Sequence, residues 1–282
     1  MLKTLGLAVA ALLSLQTASA ASIPATASKG EVLVILSSEH TLALTGGKTL
    51  ETGYYLNEFG VPADRLIKAG YKLVLVTPKG NTPVVDPGSL NARYFGGNTA
   101  EMQRIKTELE TLPDYTHPKS LAQVLAGDMS HYKALLIPGG HAPMIDLSND
   151  PAVGQLLTYF HQSGKPTAAI CHGPTALLSG QGDPKTYEAA LDGGQTPVAK
   201  NWIYAGYRMT VFSTAEEKIF EQSLNGTTLL YYPQAALAQA GGAMDEAAPW
   251  QSHVVVDREL ITGQNPFSDE ALAQALLAKL AQ

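Results

Sequence analysis

The chain has 282 residues, of which 45% are hydrophobic and 16% charged, and its net charge is −6. This acidic balance argues against a broad nucleic-acid or anionic-membrane surface, and the length suits one large α/β domain. A single cysteine excludes an intramolecular disulfide and a cysteine-rich metal cage, so stability falls to a hydrophobic core.

Met1-Leu2-Lys3 gives a short basic start, residues 5–15 are almost wholly apolar, and Ala18-Ser19-Ala20 supplies a small-x-small cleavage pattern. Residues 1–20 are therefore expected to be a secretory signal peptide, cleaved near Ala20, with the mature chain exported to the periplasm or the medium. The apolar run is too short for a stable membrane anchor. Residues 21–30 read as a flexible N-terminal segment, and residues 31–282 as a single domain.

Residues 31–36 (EVLVIL) form a β-branched run suited to a buried parallel strand. Residues 53–69 read as a helix stopped by Gly70, with a boundary or kink at Pro62. A strand over 71–76 leads into a long loop, rich in Pro, Gly, Asn and Asp, that runs to Asn98. Helices follow over 99–112 and 118–125, then a strand over 132–137 ending in Pro138-Gly139-Gly140-His141. A helix over 151–162 precedes a short strand over 165–170 that closes on Cys171, and Gly173-Pro174 opens another helix. The remainder gives a strand over 209–212, a helix from Ala215, strands over 253–257 and 259–262, and a closing helix over 268–280. Such alternation implies an α/β fold: a doubly wound, mostly parallel sheet with helices on both faces and its site at the carboxyl ends of the strands.

Cys171 is placed for chemistry. A strand, a sharp turn and a helix, with small residues two before (Ala169) and two after (Gly173), make a nucleophile elbow. The helix N-terminus beneath it is expected to favour thiolate over thiol. A buried structural cysteine is the plainer alternative. The Gly139-Gly140 pair ends a different strand and lets the backbone approach a substrate. The N–H groups of Gly140 and of His172 are thus candidate oxyanion donors. A plain turn would use the same pair of glycines. No G-x-G-x-x-G follows the first strand and no P-loop occurs, so no cofactor is expected. His40, His117, His131, His161 and His253 fall at no clear metal-ligand spacing.

The run Ile137-Pro138-Gly139-Gly140-His141, followed by Ala168-Ala169-Ile170-Cys171-His172-Gly173-Pro174, resembles the ThiJ/PfpI superfamily of the flavodoxin-like, class I glutamine amidotransferase-like fold. It looks specifically like the branch of heat-shock-protein-31-type chaperones and glutathione-independent glyoxalases (glyoxalase III). The likeness extends from about Glu31 to the C-terminus and includes Val85-Asp86-Pro87-Gly88-Ser89 and Thr262-Gly263-Gln264-Asn265-Pro266. The resemblance implies a protonated Glu58, four residues before Pro62, hydrogen-bonded to the Cys171 sulfur. It also implies that an acid on a later segment orients His172; Glu217 matches, with Glu216 a near alternative. Three departures stand out. The chain carries an export signal, His141 is followed by Ala142-Pro143 rather than glycine, and no histidine accompanies Glu58, so the metal pair of some bacterial relatives is not expected.

The resemblance thus implies a cofactor-independent glyoxalase acting on a small reactive aldehyde. Its catalytic residues would be Cys171, His172, Glu58 and Glu217, and its oxyanion donors Gly140 and His172. Alternatives are a holding chaperone for unfolded proteins, another cysteine hydrolase acting on amides, peptides or isocyanides, and an oxidant sensor. A glutamine amidotransferase is disfavoured, because the His-x-Glu dyad and a synthetase domain are missing. A homodimer is a family expectation.

Overall fold

The apolar runs assemble into one seven-stranded sheet. The computed structural model describes residues 28–282, so the segment read as a signal peptide, and most of the stretch after it, lie outside the described residues. In chain order come β1 (Glu31–Ile35), β2 (Thr41–Ala43), β3 (Thr49–Glu51), α1 (Leu56–Lys68), β4 (Lys72–Thr77), α2 (Thr99–Glu110), β5 (Lys119–Ser120), α3 (Leu121–Ala126) and β6 (Tyr132–Ile137). They are followed by α4 (Pro143–Asp146), α5 (Pro151–Gln162), β7 (Thr167–Ile170), α6 (Pro184–Asp192), β8 (Arg208–Met209) and α7 (Thr214–Glu221). Last are α8 (Pro233–Ala240), β9 (Ala243–Met244), β10 (Val254–Asp257), β11 (Leu260–Gly263) and α9 (Asp269–Leu280).

The sheet order is β10-β11-β7-β6-β1-β4-β5. Every pairing is parallel except the β10–β11 hairpin. Along β1, successive side chains enter opposite layers, as the two-residue period of a strand demands. Val32 and Val34 pack with Phe59 and Leu66 of α1, Ile105 of α2 and Leu272 and Leu276 of α9. Leu33 and Ile35 pack with Val124 of α3, Leu156 and Phe160 of α5 and Leu237 of α8. Burying each of these large side chains contributes about 1.5–3 kcal/mol. Both faces are therefore covered, as the unbroken apolar strands require. In the register of β6 on β7, Ile137 stands opposite Ala169. The turns that follow these strands, at Gly139-Gly140 and at Cys171, are thereby neighbours.

Several elements differ from expectation for local reasons. The helix expected from residue 53 begins at Leu56, because Tyr54 runs extended against the long loop. Its N–H donates to Val84 O and its carbonyl accepts from Asp86 N–H, both at 2.8 Å. Pro62 lies inside α1, where it deletes the bond that residue 62 would have made to the Glu58 carbonyl. The segment after Cys171 is a 3-10 helix over Gly173–Gly180 rather than an α-helix. The hydroxyls of Thr175 and Ser179 each return to a carbonyl three residues back, at 2.7 Å, which favours the tighter winding. The strand expected over 209–212 shrinks to Arg208–Met209. Beyond it, Thr210 N–H turns to Thr262 Oγ1 at 2.9 Å and Phe212 N–H to Cys171 O at 2.9 Å.

Candidate active site

β7 delivers Cys171 at φ +60°, a left-handed conformation that costs a non-glycine residue about 1–3 kcal/mol. Neighbouring segments hold it there. Its N–H donates to Gly263 O at 2.8 Å, and its carbonyl accepts the Phe212 N–H. The residue is only 3% exposed.

From Cys171 a chain of contacts runs to α7. Sγ lies 3.2 Å from His172 Nδ1. His172 Nε2 lies 2.5 Å from Glu217 Oε1, and Glu217 Oε2 accepts from His141 Nε2 at 3.3 Å. Because a carboxylate only accepts, the His172 proton is assigned to Nε2, which leaves Nδ1 bare toward the thiol. Phe212 stacks on the His172 ring at 4.8 Å, and His141 lies against both His172 and Phe220, at 3.9 and 4.7 Å. Burial, reinforced by His141, lowers His172 to about 4, so at neutral pH the ring is uncharged. Burial alone would raise Glu217; its two histidine partners override this and hold it at about 2. The attraction to charged imidazole operates only in acid. At neutral pH the pair is a carboxylate accepting N–H bonds from neutral His172.

The thiol itself departs from expectation. Burial pushes Cys171 well above its ordinary value, and the acids Glu58, Glu216 and Glu217 push the same way. The resting group is therefore a thiol, with Sγ 3.2 Å from His172 Nδ1. Glu58, fully buried, is likewise pushed well above the carboxylate range by burial, against the pull of the Cys171 thiol and the Gly139 N–H. Neither Glu58 oxygen completes a hydrogen bond of good geometry among the described residues. A neutral carboxyl beside the sulfur is the low-energy arrangement, since two anions there would repel.

The Gly139-Gly140 turn closes this constellation. A Cβ at Gly139 would stand 2.5 Å from Glu58 Oε2 and 2.7 Å from Cys171 Cβ, so only glycine lets the two groups meet. Gly140 adopts φ +81°, and neither its N–H nor that of His172 donates to another described residue. Both line the cavity above the sulfur. Cys171, His172, Glu58, Glu217 and Gly140 are thus brought together. Glu216 is not part of the contact with His172: its carboxyl group turns away to Ser213, Trp250, Gln264 and Asn265.

A model of the DJ-1/PfpI family matches residues 49–186, the stretch holding Glu58, the Gly139-Gly140 turn, Cys171 and His172. The matched stretch belongs to the DJ-1/PfpI family. The chain is similar to a bovine (Bos taurus) glutamine amidotransferase-like class 1 domain-containing protein 1, with 29% identity over 213 residues, covering 75% of this chain and 82% of the relative. It is also similar to the protein/nucleic acid deglycase HchA of Staphylococcus aureus, with 27% identity over 252 residues, covering 87% and 78% of the two chains. The crystal structure of glyoxalase III from Candida albicans shares the fold, with a TM-score of 0.68 at 22% identity over 90% of this chain and 98% of that one.

In the structure the sulfur opens on a cavity of about 340 Å³. Its walls include Tyr55, Tyr94, Phe212, Phe220, Trp250 and His141. The sequence reading gave none of the six a role. His141 had a signal, since it directly follows the glycine turn at a strand end; Trp250 had none. His141, His172 and Glu217 each present one possible ligand atom, all within 4.8 Å of one another. A cation there would compete with the two N–H groups that Glu217 now accepts. That cluster is distinct from the metal pair considered around Glu58.

Proposed function

We propose that the protein is a glutathione-independent glyoxalase of the glyoxalase III type, converting methylglyoxal to lactate. One observation carries the reading: the fully buried Glu58 carboxyl and His172 Nδ1, 3.2 Å from Sγ, converge on a single thiol at the Gly139 turn. Likeness to HchA and the fold shared with glyoxalase III support a family of carbonyl chemistries into which it fits.

In this mechanism Cys171 Sγ gives its proton to His172 Nδ1 and bonds to the aldehyde carbon. The imidazolium is stabilised by Glu217, and the developing oxyanion by the Gly140 and His172 N–H groups. Glu58 gives its own proton to that oxyanion and, now a carboxylate, takes the proton of the same carbon and returns it to the neighbouring ketone carbon through an enediol. The aldehyde carbon is thereby oxidised to a thioester and the ketone reduced to an alcohol. Water cleaves the thioester, releasing lactate and the thiol, so methylglyoxal plus water gives lactate with no external redox partner.

A deglycase reading, favoured by the HchA likeness, uses the same thiol but starts from a glycated amine or thiol, which leaves with a proton as the Cys171 adduct forms. The test is lactate formation from methylglyoxal by the reduced protein without glutathione, beside Cys171→Ala. Turnover by the parent and none by the variant supports the proposal. Failure of the parent on methylglyoxal, with turnover of glycated N-acetylcysteine, favours deglycation instead.

A further inference from the structure

The walls of the cavity narrow the substrate class beyond what the thiol chemistry requires. A volume of about 340 Å³ falls among the sites of ~300–1,000 Å³ that enclose ligands of drug size. A three-carbon oxoaldehyde would leave most of that space to water. Much of the wall is flat and aromatic, with the polar side chains of Glu51, Asp86, Asn91 and Arg93 beside it. Tyr55 and Tyr94 meet edge to face with ring centres 5.2 Å apart, and their hydroxyls are 2.9 Å apart. Phe212 meets Trp250 at 5.5 Å and His172 at 4.8 Å, so the aromatic surface is continuous from the triad histidine to Trp250.

Trp250 is held in place against its own preference. Its φ is +65°, a conformation bulky residues rarely adopt. Its N–H donates to Glu216 Oε1 at 2.8 Å, and the fully buried Glu216 is fixed in turn by Ser213, Gln264 and Asn265. The acid–base chain of Cys171, His172, Glu217 and Glu58 makes no use of Trp250. Strain maintained by so many buried partners at the wall of a reactive cavity points to a role in binding.

We propose that the preferred substrate is an α-oxoaldehyde whose ketone carries an aryl or similarly flat apolar group. That group would lie against Trp250, with the aldehyde at Cys171 Sγ. The inference rests on the glyoxalase reading and names its substrate class. Atoms balance as before: an arylglyoxal and water give the aryl hydroxy acid, with the aldehyde oxidised and the ketone reduced.

The test compares initial rates on phenylglyoxal and methylglyoxal, reading mandelate and lactate, so that slow arginine modification stays outside the signal. Phenylglyoxal is expected to exceed methylglyoxal in kcat/KM by about tenfold, mainly through KM. Trp250→Gly, which suits the left-handed backbone, is expected to abolish that ratio; Trp250→Phe should retain most of it. Tyr94→Leu gives a second route if both Trp250 variants fold poorly, and should lower the ratio. A parent protein that handles methylglyoxal as well as or better than phenylglyoxal overturns the assignment and leaves the glyoxalase reading standing. A ratio unchanged in folded Trp250→Gly also overturns it. No turnover of either aldehyde overturns both.

Discussion

His172 Nε2 lies 2.5 Å from Glu217 Oε1, and this contact decides what the other side of the ring can do. With its proton on Nε2, the imidazole offers a lone pair at Nδ1, 3.2 Å from Cys171 Sγ. Glu217→Gln presents an amide that can donate, which would turn the proton to the wrong nitrogen. We expect kcat to fall by about 10²–10⁴-fold while the circular dichroism spectrum is retained. A variant within threefold of the parent would remove Glu217 from the account.

The acid limb of the pH profile follows from the same pair. The base is lost only as His172 takes up a proton, near pH 4. The limb governed by His172 should therefore lie close to pH 4, well below the 6.5 of ordinary histidine. The sign for stability is also set. Unfolded His172 binds a proton near pH 6.5 and the folded residue only near 4, so its contribution to stability falls as pH drops across that window. A kinetic limb near 6.5 in kcat/KM would contradict the neutral, buried imidazole.

Asp146 makes the opposite contribution. It accepts from Ser37 Oγ at 2.6 Å and Ser38 N–H at 2.8 Å, tying α4 to the loop after β1, yet burial raises it to about 6. The folded state thus binds more protons than the unfolded one between about pH 4 and 6, so ionisation of Asp146 destabilises the fold as pH rises. Relative to Asp146→Asn, the parent should lose up to about 3 kcal/mol between pH 4 and pH 7. Urea unfolding at both pH values measures this, and a difference of opposite sign would refute it.

Gly139→Ala probes how tightly the site is closed. The added methyl would stand 2.5 Å from both Glu58 Oε2 and Ile170 O. Overpacking of this kind costs about 1–3 kcal/mol, and here it would also push Glu58 and Cys171 apart. Thermal unfolding should show the loss of stability, and activity should fall further than stability does. Full activity would mean that the turn has room the structure does not show.

Elements whose signals are local were readable in the sequence. β6 and α5 have the expected bounds, since an apolar run broken only by the exposed Lys133 sets the first, and Asp150 as N-cap with Pro151 at the first position sets the second. The elbow at Cys171 was readable for the same reason. Boundaries decided by distant partners were not: α1 starts late because residues 84–86 pair with Tyr54. Glu58 and Glu217 look like surface helix carboxylates in the sequence, and only the family resemblance singled them out. Their burial, and with it their opposite protonation, exists only once α1 and α7 converge on β7. His141 and Trp250 escaped for a related reason. Their roles depend on Glu217 and Glu216, which lie 76 and 34 residues away in the chain.

The central claim is that Glu58 relays a proton after Cys171 has bonded to the aldehyde, and one measurement addresses both halves. Glu58→Gln would be mixed with methylglyoxal, followed by mass spectrometry of the intact protein after borohydride-free quenching in acid and by assay of lactate. The account predicts an adduct of one methylglyoxal on Cys171 with lactate formation reduced by about 10²–10⁴-fold, and no such adduct in the Glu58→Gln, Cys171→Ala double variant. Lactate formation by Glu58→Gln at the parent rate would contradict it.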